Sequence, residues 1–278
     1  MDINEPVGKE PPPSIKSRSM GTNIALVISG LFLLFFYWET VKAGFFLFTP
    51  RGKATLYQYG LFVERSDQES VKWLRVAADK GDVKAEFEMA NRYQTGNGVP
   101  KNYSEALKWY LAAANQGYVS AEVQAGWLYT KGWGAKKNYS IALKWFQKAA
   151  DQGDAWGLNN VGWFYQNGWG VPKNYSKALE LYQKAVKKNN SGAQEGMGEL
   201  YENGWGVKKD YAEAMKWYLK SAKQKTDVAE YKVGNFYHYG RGVKQDDKEA
   251  MKWYRKAAEK KNVDAQKAIV ILNLKHKK

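Results

Sequence analysis

His238 and His276 are the only histidines of the chain, and histidine is the side chain most often used as a general base or metal ligand near neutral pH. They do not show the spacing of three or four residues that places two metal ligands on one helical face. The chain has no cysteine, which excludes a thiol nucleophile and a thiolate metal site. These residues predict a protein without catalytic activity, cofactor or metal, in which His238 lies on the surface.

Two short motifs also contain chemically useful residues, but both recur from copy to copy. The Gly-x-Gly-Val motif lacks the lysine of a phosphate-binding loop, and it begins at Gly96, Gly168, Gly204 and Gly240. The Asn-x-Ser motif matches a glycosylation acceptor, and it begins at Asn102, Asn138 and Asn174. We interpret the glycines as turns and the asparagines as helix caps, with glycosylation as the alternative for the asparagines.

A pattern with a period of 36 residues runs six times through the chain. The tyrosine positions are Tyr57, Tyr93, Tyr129, Tyr165, Tyr201 and Tyr237. The tryptophan positions are Trp73, Trp109, Trp145, Trp217 and Trp253, with Leu181 in the remaining place. A fixed period of roughly 20 to 50 residues is the signature of a repeat array.

Each period contains two predicted helices, because apolar residues return at intervals of three and four on both sides of the glycine turn. Asn102 precedes the second helix and Glu105 follows three residues later, as in a capping box. A column of small residues in the first helix indicates close packing against a neighbour; it reads Ala90, Gly126, Gly162, Gly198 and Gly234. The sequence predicts an all-α protein of about six helix-turn-helix units.

The run Tyr-x-x-Gly-x-Gly-Val-x-x-Asn/Asp-x-x-x-Ala-x-x-Trp-Tyr-x-x-Ala-Ala-x-x-Gly resembles the Sel-one-like repeats, relatives of the tetratricopeptide repeats with longer units. The resemblance covers residues 54–275 and implies a right-handed α-solenoid. Lys225 and Lys261 depart from the pattern where a glycine closes the unit. The expected units are 54–81 (partial), 82–117, 118–153, 154–189, 190–225 and 226–261, followed by a cap helix at 262–275.

Residues 19–38 differ in kind from the repeats. They carry no charged side chain, and 20 helical residues just cross the ~30 Å hydrocarbon layer of a bilayer. We predict a separate apolar helix that forms a transmembrane anchor or uncleaved signal, preceded by a flexible leader (1–18) and followed by a juxtamembrane linker (39–53). A cleaved signal with its site at Val41-Lys42-Ala43 and a buried helix remain as alternatives. The flanking basic residues favour a single-pass membrane protein with its repeats on the extracytoplasmic side, in a periplasm or lumen.

The formal net charge of +15 belongs entirely to the repeats, because residues 1–49 hold four basic and four acidic groups. Such a charge favours acidic partners or anionic surfaces, so anionic lipid and an envelope polymer are candidate partners. Nucleic acid is not favoured, since no groove-reading motif is present. The lysine pairs that begin at Lys136, Lys187 and Lys208 are equally explained as solvated side chains.

Two variable columns of the first helix share one helical face, and the resemblance implies that the first helices line a concave groove. We call these positions the groove surface and predict that they bind another protein. They are Phe87, Asn91, Val123, Trp127, Asn159, Trp163, Glu195, Glu199, Tyr231 and Asn235. Trp127 and Trp163 are expected to form an aromatic anchor, with packing between repeats as the alternative.

A second tryptophan series lies inside three successive turns and consists of Trp133, Trp169 and Trp205. We predict an exposed edge ladder for a partner or a membrane surface, with simple covering of the turns as the alternative. Taken together, the sequence predicts a membrane-tethered or exported helical-repeat scaffold that binds another protein. The alternative function is an envelope binding module for an anionic glycan or lipid.

Overall fold

A computed structural model describes residues 49–61 and 63–275. Across these residues the secondary structure comprises thirteen α-helices and no strand. The helices are α1 (Pro50–Tyr59), α2 (Asp67–Ala78), α3 (Val83–Thr95), α4 (Tyr103–Asn115), α5 (Val119–Lys131), α6 (Tyr139–Asp151), α7 (Ala155–Asn167), α8 (Tyr175–Val186), α9 (Ser191–Asn203), α10 (Tyr211–Lys223), α11 (Asp227–Tyr239), α12 (Asp247–Glu259) and α13 (Val263–Lys275). The predicted fold class, an all-α helical repeat of the solenoid type, is confirmed.

The helices form two compact units, of which the first ends at Asn138 and the second begins at Tyr139. Consecutive helices pack against each other within each unit, from α1 to α5 and from α6 to α13. In the second unit α7 also contacts α9. Within each unit, a second helix therefore packs against the first helices of that unit that precede and follow it in the chain.

The polar residue that precedes the second helix acts as its N-cap in four repeats, as predicted. Asn102 Oδ1 accepts a hydrogen bond from the backbone N–H of Glu105 at 3.2 Å. This bond satisfies an amide that no helical carbonyl can reach. The same bond is made by Asn174, Asp210 and Asp246 at the starts of α8, α10 and α12.

The glycine motif forms the turn between the two helices of a repeat and lies against the preceding repeat. Gly134 has a φ of +78°, and a Cβ at this position would lie 2.2 Å from the carbonyl oxygen of Tyr103. No side chain fits at that distance. The motif is therefore a structural turn, as interpreted from the sequence.

The residue that closes each second helix adopts the left-handed conformation in all six repeats. In the first three it is a glycine, with φ between +75° and +81°. In the last three it is Asn189, Lys225 or Lys261, with φ of 57°, 60° and 67°. Side chains with a Cβ pay a steric cost in this conformation that glycine does not.

The core depends on one large aromatic ring from each second helix after α2, in which the fully buried residue at this position is Leu74. These rings are fully buried and belong to Tyr110, Phe146, Tyr182, Tyr218 and Tyr254. A Cβ at Gly198 would lie 2.6 Å from Cε1 of Tyr218. Tyr182 lies against two glycines, since a Cβ would come within 2.9 Å of its ring at Gly162 and within 2.5 Å at Gly196. The predicted close packing is confirmed at Gly162 and Gly198, where the neighbour is an aromatic ring, and Gly196 makes a further contact of this kind.

The first helix begins inside the segment 39–53 that the sequence predicts to be a linker. Thr49 Oγ1 accepts the backbone N–H of Gly52 at 3.0 Å and caps α1. The predicted anchor at residues 19–38 lies outside the described residues. Among residues 49–61 and 63–275, no helix combines the length and apolar character that crossing a membrane requires.

Replacing Gly198 with alanine tests the contact between ring and glycine. In a helix without such a neighbour, alanine is more stabilising than glycine by about 1 kcal/mol. At this position the added methyl group overlaps the Tyr218 ring. We expect the free energy of unfolding to fall by about 1–3 kcal/mol, the usual cost of overpacking a core. Urea unfolding followed by circular dichroism measures it. A variant that is more stable than the wild type would show that the ring moves aside without cost.

Candidate interaction surface

The ten groove-surface residues lie on the first helices α3, α5, α7, α9 and α11, and the structure divides them by burial. Val123, Trp127, Asn159 and Glu195 are between 2% and 7% exposed. For these four the structure shows packing, in agreement with the alternative interpretation of Trp127. The residues that keep part of their side chain accessible are Phe87, Asn91, Trp163, Glu199, Tyr231 and Asn235.

In the first unit, Phe87 and Asn91 line an open cleft together with Arg51 and Lys84. The Phe87 ring packs 5.1 Å from the ring of Tyr118, which also lines the cleft. A partner that entered this cleft would meet an aromatic ring, an amide and two cations. We call it the α3 cleft.

Asn91 is held in place by the buried tyrosine of the next helix. Its Oδ1 atom lies 2.6 Å from Tyr110 Oη, and Gln94 Oε1 lies 2.5 Å from the same hydroxyl. Burial raises the pKa of Tyr110, so its hydroxyl stays protonated and donates a hydrogen bond. The orientation of Asn91 therefore depends on the core.

In the second unit, Tyr231 and Asn235 line another cleft with Tyr254 and His238. Tyr254 Oη donates to Asn235 Oδ1 at 2.7 Å. His238 Nδ1 lies 2.6 Å from Asp247 Oδ1, and the histidine side chain is 18% exposed. The sequence predicted a surface position for His238, but packing of α11 on α12 makes it half-buried.

Glu199 belongs to a chain of hydrogen bonds that starts in the core. Gln166 Nε2 donates to Glu199 Oε2 at 2.8 Å, and Tyr182 Oη donates to Gln166 Oε1 at 2.9 Å. Burial raises the pKa of Tyr182 and keeps this hydroxyl a donor. The carboxylate of Glu199 is thus fixed by its neighbours before any partner arrives.

The turn tryptophans stack on the first residue of a second helix. Trp169 lies parallel to the Tyr139 ring, with 4.8 Å between ring centroids and 12° between planes. The equivalent stacked pairs are Trp133 on Tyr103 and Trp205 on Tyr175. The tryptophans are half-buried and cover the turns, in agreement with the alternative interpretation of the edge ladder.

Trp163 and Trp169 connect the groove surface to the turn series. Their rings meet edge to face, with centroids 4.3 Å apart. Aromatic pairs in this geometry add about 0.5–1.5 kcal/mol beyond the burial of their area. The two series predicted separately from the sequence therefore form one aromatic cluster at this repeat.

Sequence reasoning missed a polar contact that joins residues thirty positions apart, which we call the thirty-residue bridge. Gln116 Nε2 donates to Glu86 Oε2 at 2.8 Å, and Gln224 Nε2 donates to Gln194 Oε1 at 2.9 Å. Lys260 bonds to Glu230 in the same way. The signal was present as a recurring polar pair, but periodicity alone does not reveal which columns touch across helices.

No group of three or more histidine, aspartate or glutamate side chains is arranged to hold a metal ion in the part of the chain that the structure describes. Polar groups on the first helices are bonded to other side chains of the protein, among them Asn91 to Tyr110, Glu199 to Gln166 and His238 to Asp247. The arrangement suits recognition of another molecule.

A family model for the Sel1 repeat matches residues 52–82, 83–118, 119–154, 157–190, 191–225 and 227–262. These six matches follow the period read from the sequence and together cover most of the chain. No curated protein sequence matches it.

Solved structures show the same fold. A Sel1 repeat protein from Oxalobacter formigenes is 30% identical with a TM-score of 0.70, and the match covers 80% of this chain and 86% of that one. A protective antigen of uropathogenic Escherichia coli that displays an SLR fold is 32% identical with a TM-score of 0.67, over 79% of this chain. The chain spans only 47% of the length of that antigen. An immunity protein from Pseudomonas aeruginosa, 21% identical with a TM-score of 0.50 over 76% of this chain and 80% of that one, shows the fold alone.

Replacing Glu86 with glutamine should make stability less dependent on pH. Burial raises the pKa of Glu86 above its ordinary value of 4.5, and the bond from Gln116 offsets part of this increase. The stability that the neutral carboxyl contributes is complete below pH about 4 and is lost as the pH rises through the raised value. We expect Glu86→Gln to be more stable than the wild type at pH about 7 and equal to it at pH about 4. Urea unfolding at both pH values measures this, and a constant difference would contradict it.

Proposed function

This chain belongs to the Sel1 repeat family, whose members are generally protein-interaction scaffolds, and from that premise we propose that it binds another protein through the accessible part of its groove surface, without performing chemistry. The observation that carries the proposal is the α3 cleft. Phe87 and Asn91, two residues chosen from the sequence because they vary between copies, line this open cleft.

The chemistry of the α3 cleft suits a protein ligand. Aromatic and arginine side chains are enriched at the centres of protein interfaces, and the cleft contains Phe87, Tyr118 and Arg51. Lys84 and Glu88 place both signs of charge at its border. An extended segment with one apolar side chain and polar flanks would satisfy these groups.

Preorganisation also supports binding at this surface. Asn91 accepts a hydrogen bond from a buried tyrosine, so little side-chain entropy is lost when a partner contacts it. A half-buried Phe87 that already packs on Tyr118 has the same advantage. Rigid contact residues increase affinity mainly because they lower the cost of ordering.

We further propose that residues 19–38 tether the repeats to a membrane, with the repeats on the extracytoplasmic side. The support is the uncharged stretch of 20 residues in the sequence. A scaffold attached in this way would meet its partner within a thin layer next to the bilayer, where the effective concentration is high. The cleaved signal remains the competing proposal.

An anionic glycan or lipid is the second candidate ligand, and the observation that favours it is charge. Most of the basic excess lies in residues 139–278, where lysines outnumber acidic residues on the second helices and at their ends. Charge of this kind attracts polyanions over a distance of about 10 Å at moderate ionic strength. Binding that depends on charge alone falls as salt is added.

Photo-crosslinking at Asn91 tests the protein partner. A photoreactive amino acid at Asn91 in the full-length protein should capture one recurring protein in the native host, because Asn91 lines the α3 cleft. Lys108, an exposed residue of α4, is the matched position for the same substitution. The captured protein should be absent from the Lys108 sample.

Direct binding completes this test. The captured protein is purified and titrated against the wild type and against Phe87→Ala, which removes the aromatic ring from the cleft. We expect Phe87→Ala to weaken binding about tenfold or more, equal to a loss of about 1.4 kcal/mol, as for a central interface aromatic. Capture at both positions, or equal affinity of the two proteins, would contradict the proposal. Binding that disappears at high salt and resists Phe87→Ala would favour the polyanion candidate.

Extraction of membranes with alkaline carbonate tests the tether. We expect the full-length protein to remain in the membrane pellet with its intact mass, because a spanning helix resists this treatment. Added protease should degrade the repeats only from the extracytoplasmic side. A soluble protein whose mass corresponds to a start after Ala43 would contradict the anchor and support the cleaved signal.

A further inference from the structure

One repeat departs from the pattern at positions that the other repeats fill with polar or aromatic groups. Leu181 stands where the other five copies have tryptophan. Leu158 and Lys188 occupy the two positions that the thirty-residue bridge joins elsewhere. An alkyl side chain accepts no hydrogen bond, so the bridge is absent from this repeat.

A cleft lies at these departures, among α6, α7 and α8. Its volume is about 530 Å³, within the range of roughly 300–1000 Å³ that is typical of ligand pockets. Leu158 and Leu181, which are 7% and 5% exposed, form an apolar floor. The carboxylate of Asp151 and four lysines stand around it. The lysines are Lys177, Lys184, Lys187 and Lys188.

Two of the lysines form ion pairs with a carboxylate in the described part of the chain, and the other two do not. Lys177 and Lys184 bond to the same carboxylate, Glu180, at 2.8 and 2.6 Å. Lys187 and Lys188 are exposed and form no ion pair within residues 49–61 and 63–275. Four ammonium groups thus face the two carboxylates of Glu180 and Asp151, and the rim keeps a positive charge.

Lys184 lacks the aromatic ring that its counterparts have. In other repeats the lysine three residues after the tryptophan lies over the indole ring, where the cation is attracted by the ring face. The pairs and their distances are Lys148 over Trp145 at 4.1 Å, Lys220 over Trp217 at 3.9 Å and Lys256 over Trp253 at 4.0 Å. Above Leu181 the corresponding space belongs to the cleft.

We infer that this cleft binds an acidic peptide segment of a partner protein, with one aromatic side chain of that segment on the floor of Leu158 and Leu181 and its flanking carboxylates on Lys187 and Lys188. The incoming ring replaces the indole that the repeat lacks and lies below Lys184. The cleft is lined by the second helices α6 and α8 and by Leu158 of α7, and none of the ten groove-surface residues lines it, so this inference does not rest on the groove surface.

The shape of the cleft favours a peptide over other anions. A bilayer surface is flat and reaches the lysines but not the recessed leucines. A sulfated or phosphorylated polymer without a ring neutralises the rim and leaves the apolar floor exposed to water. Only a ligand that combines an apolar group with flanking negative charges satisfies both parts of the site.

Fluorescence anisotropy with a defined probe tests the inference on the full-length protein. The probe is a fluorescein-labelled peptide with one central tryptophan and glutamates on both sides. Leu181→Trp restores the residue of the other repeats and fills the cleft, so we expect it to weaken probe binding about tenfold or more, equal to about 1.4 kcal/mol. A probe with alanine in place of its tryptophan should bind as weakly.

Two further variants change the charge of exposed lysines only, so a change in probe binding does not depend on altered packing of the core. Replacing Lys187 and Lys188 together with glutamate should also weaken binding about tenfold or more. The matched control replaces Lys208 and Lys209, another exposed lysine pair of the second unit, and should bind like the wild type. Glu180→Gln removes a carboxylate from the rim and frees Lys177 and Lys184, so it should bind the probe more tightly.

Three results would overturn the inference. Equal probe affinity of the wild type and Leu181→Trp would show that the cleft is not used. Equal losses in the Lys187/Lys188 and Lys208/Lys209 variants would show a response to total charge. The third result is full displacement of the probe by heparin, a single-stranded oligonucleotide or phosphatidylglycerol vesicles. If these competitors also bind Leu181→Trp as tightly as the wild type, the surface would be assigned to polyanions or membranes.

Discussion

The contact between a buried tyrosine ring and a glycine of the neighbouring first helix is the constraint on which the rest of the structure depends. Tyr182 packs against glycines of two first helices, one in its own repeat and one in the next. A ring in this position sets the distance between three helices at once, because no side chain separates it from either backbone. Repetition of the contact, at Gly162, Gly198 and Gly234, gives the second unit its regular spacing without long-range pairing, as expected where repeats contact mainly their neighbours.

The same tyrosines determine which polar groups remain for recognition. Each hydroxyl needs an acceptor when its ring is buried, and the acceptors come from the helix face that the sequence assigns to binding. Asn91, Asn235 and the Gln166–Glu199 pair all serve in this way. Core and surface are therefore coupled: a change in a buried ring alters the orientation of groove-surface side chains, and the column that varies between copies is not free to vary in every respect.

The repeat, the two helices in each period, the caps and the glycine turns were all predictable from the sequence, since each is encoded within one period. The accessible surface was not. Val123 and Trp127 occupy the same two repeat positions in α5 that Phe87 and Asn91 occupy in α3. The α5 pair is nevertheless buried, whereas the α3 pair is partly exposed. Burial depends on side chains from other helices, and a single-helix pattern carries no information about them. The thirty-residue bridge was missed for the same reason.

The residues with positive φ that close the second helices differ between the first three repeats and the last three. Glycine closes the first three repeats without strain, whereas Asn189, Lys225 and Lys261 close the last three, and a non-glycine residue there costs about 1–2 kcal/mol. Because stability in such arrays is close to a sum over repeats and their interfaces, local opening should be easier toward the carboxyl-terminal end. During synthesis the unstrained repeats emerge first and offer a folded template to those that follow. The repeats whose closing residue is an unstrained glycine are thus also the first that the ribosome delivers.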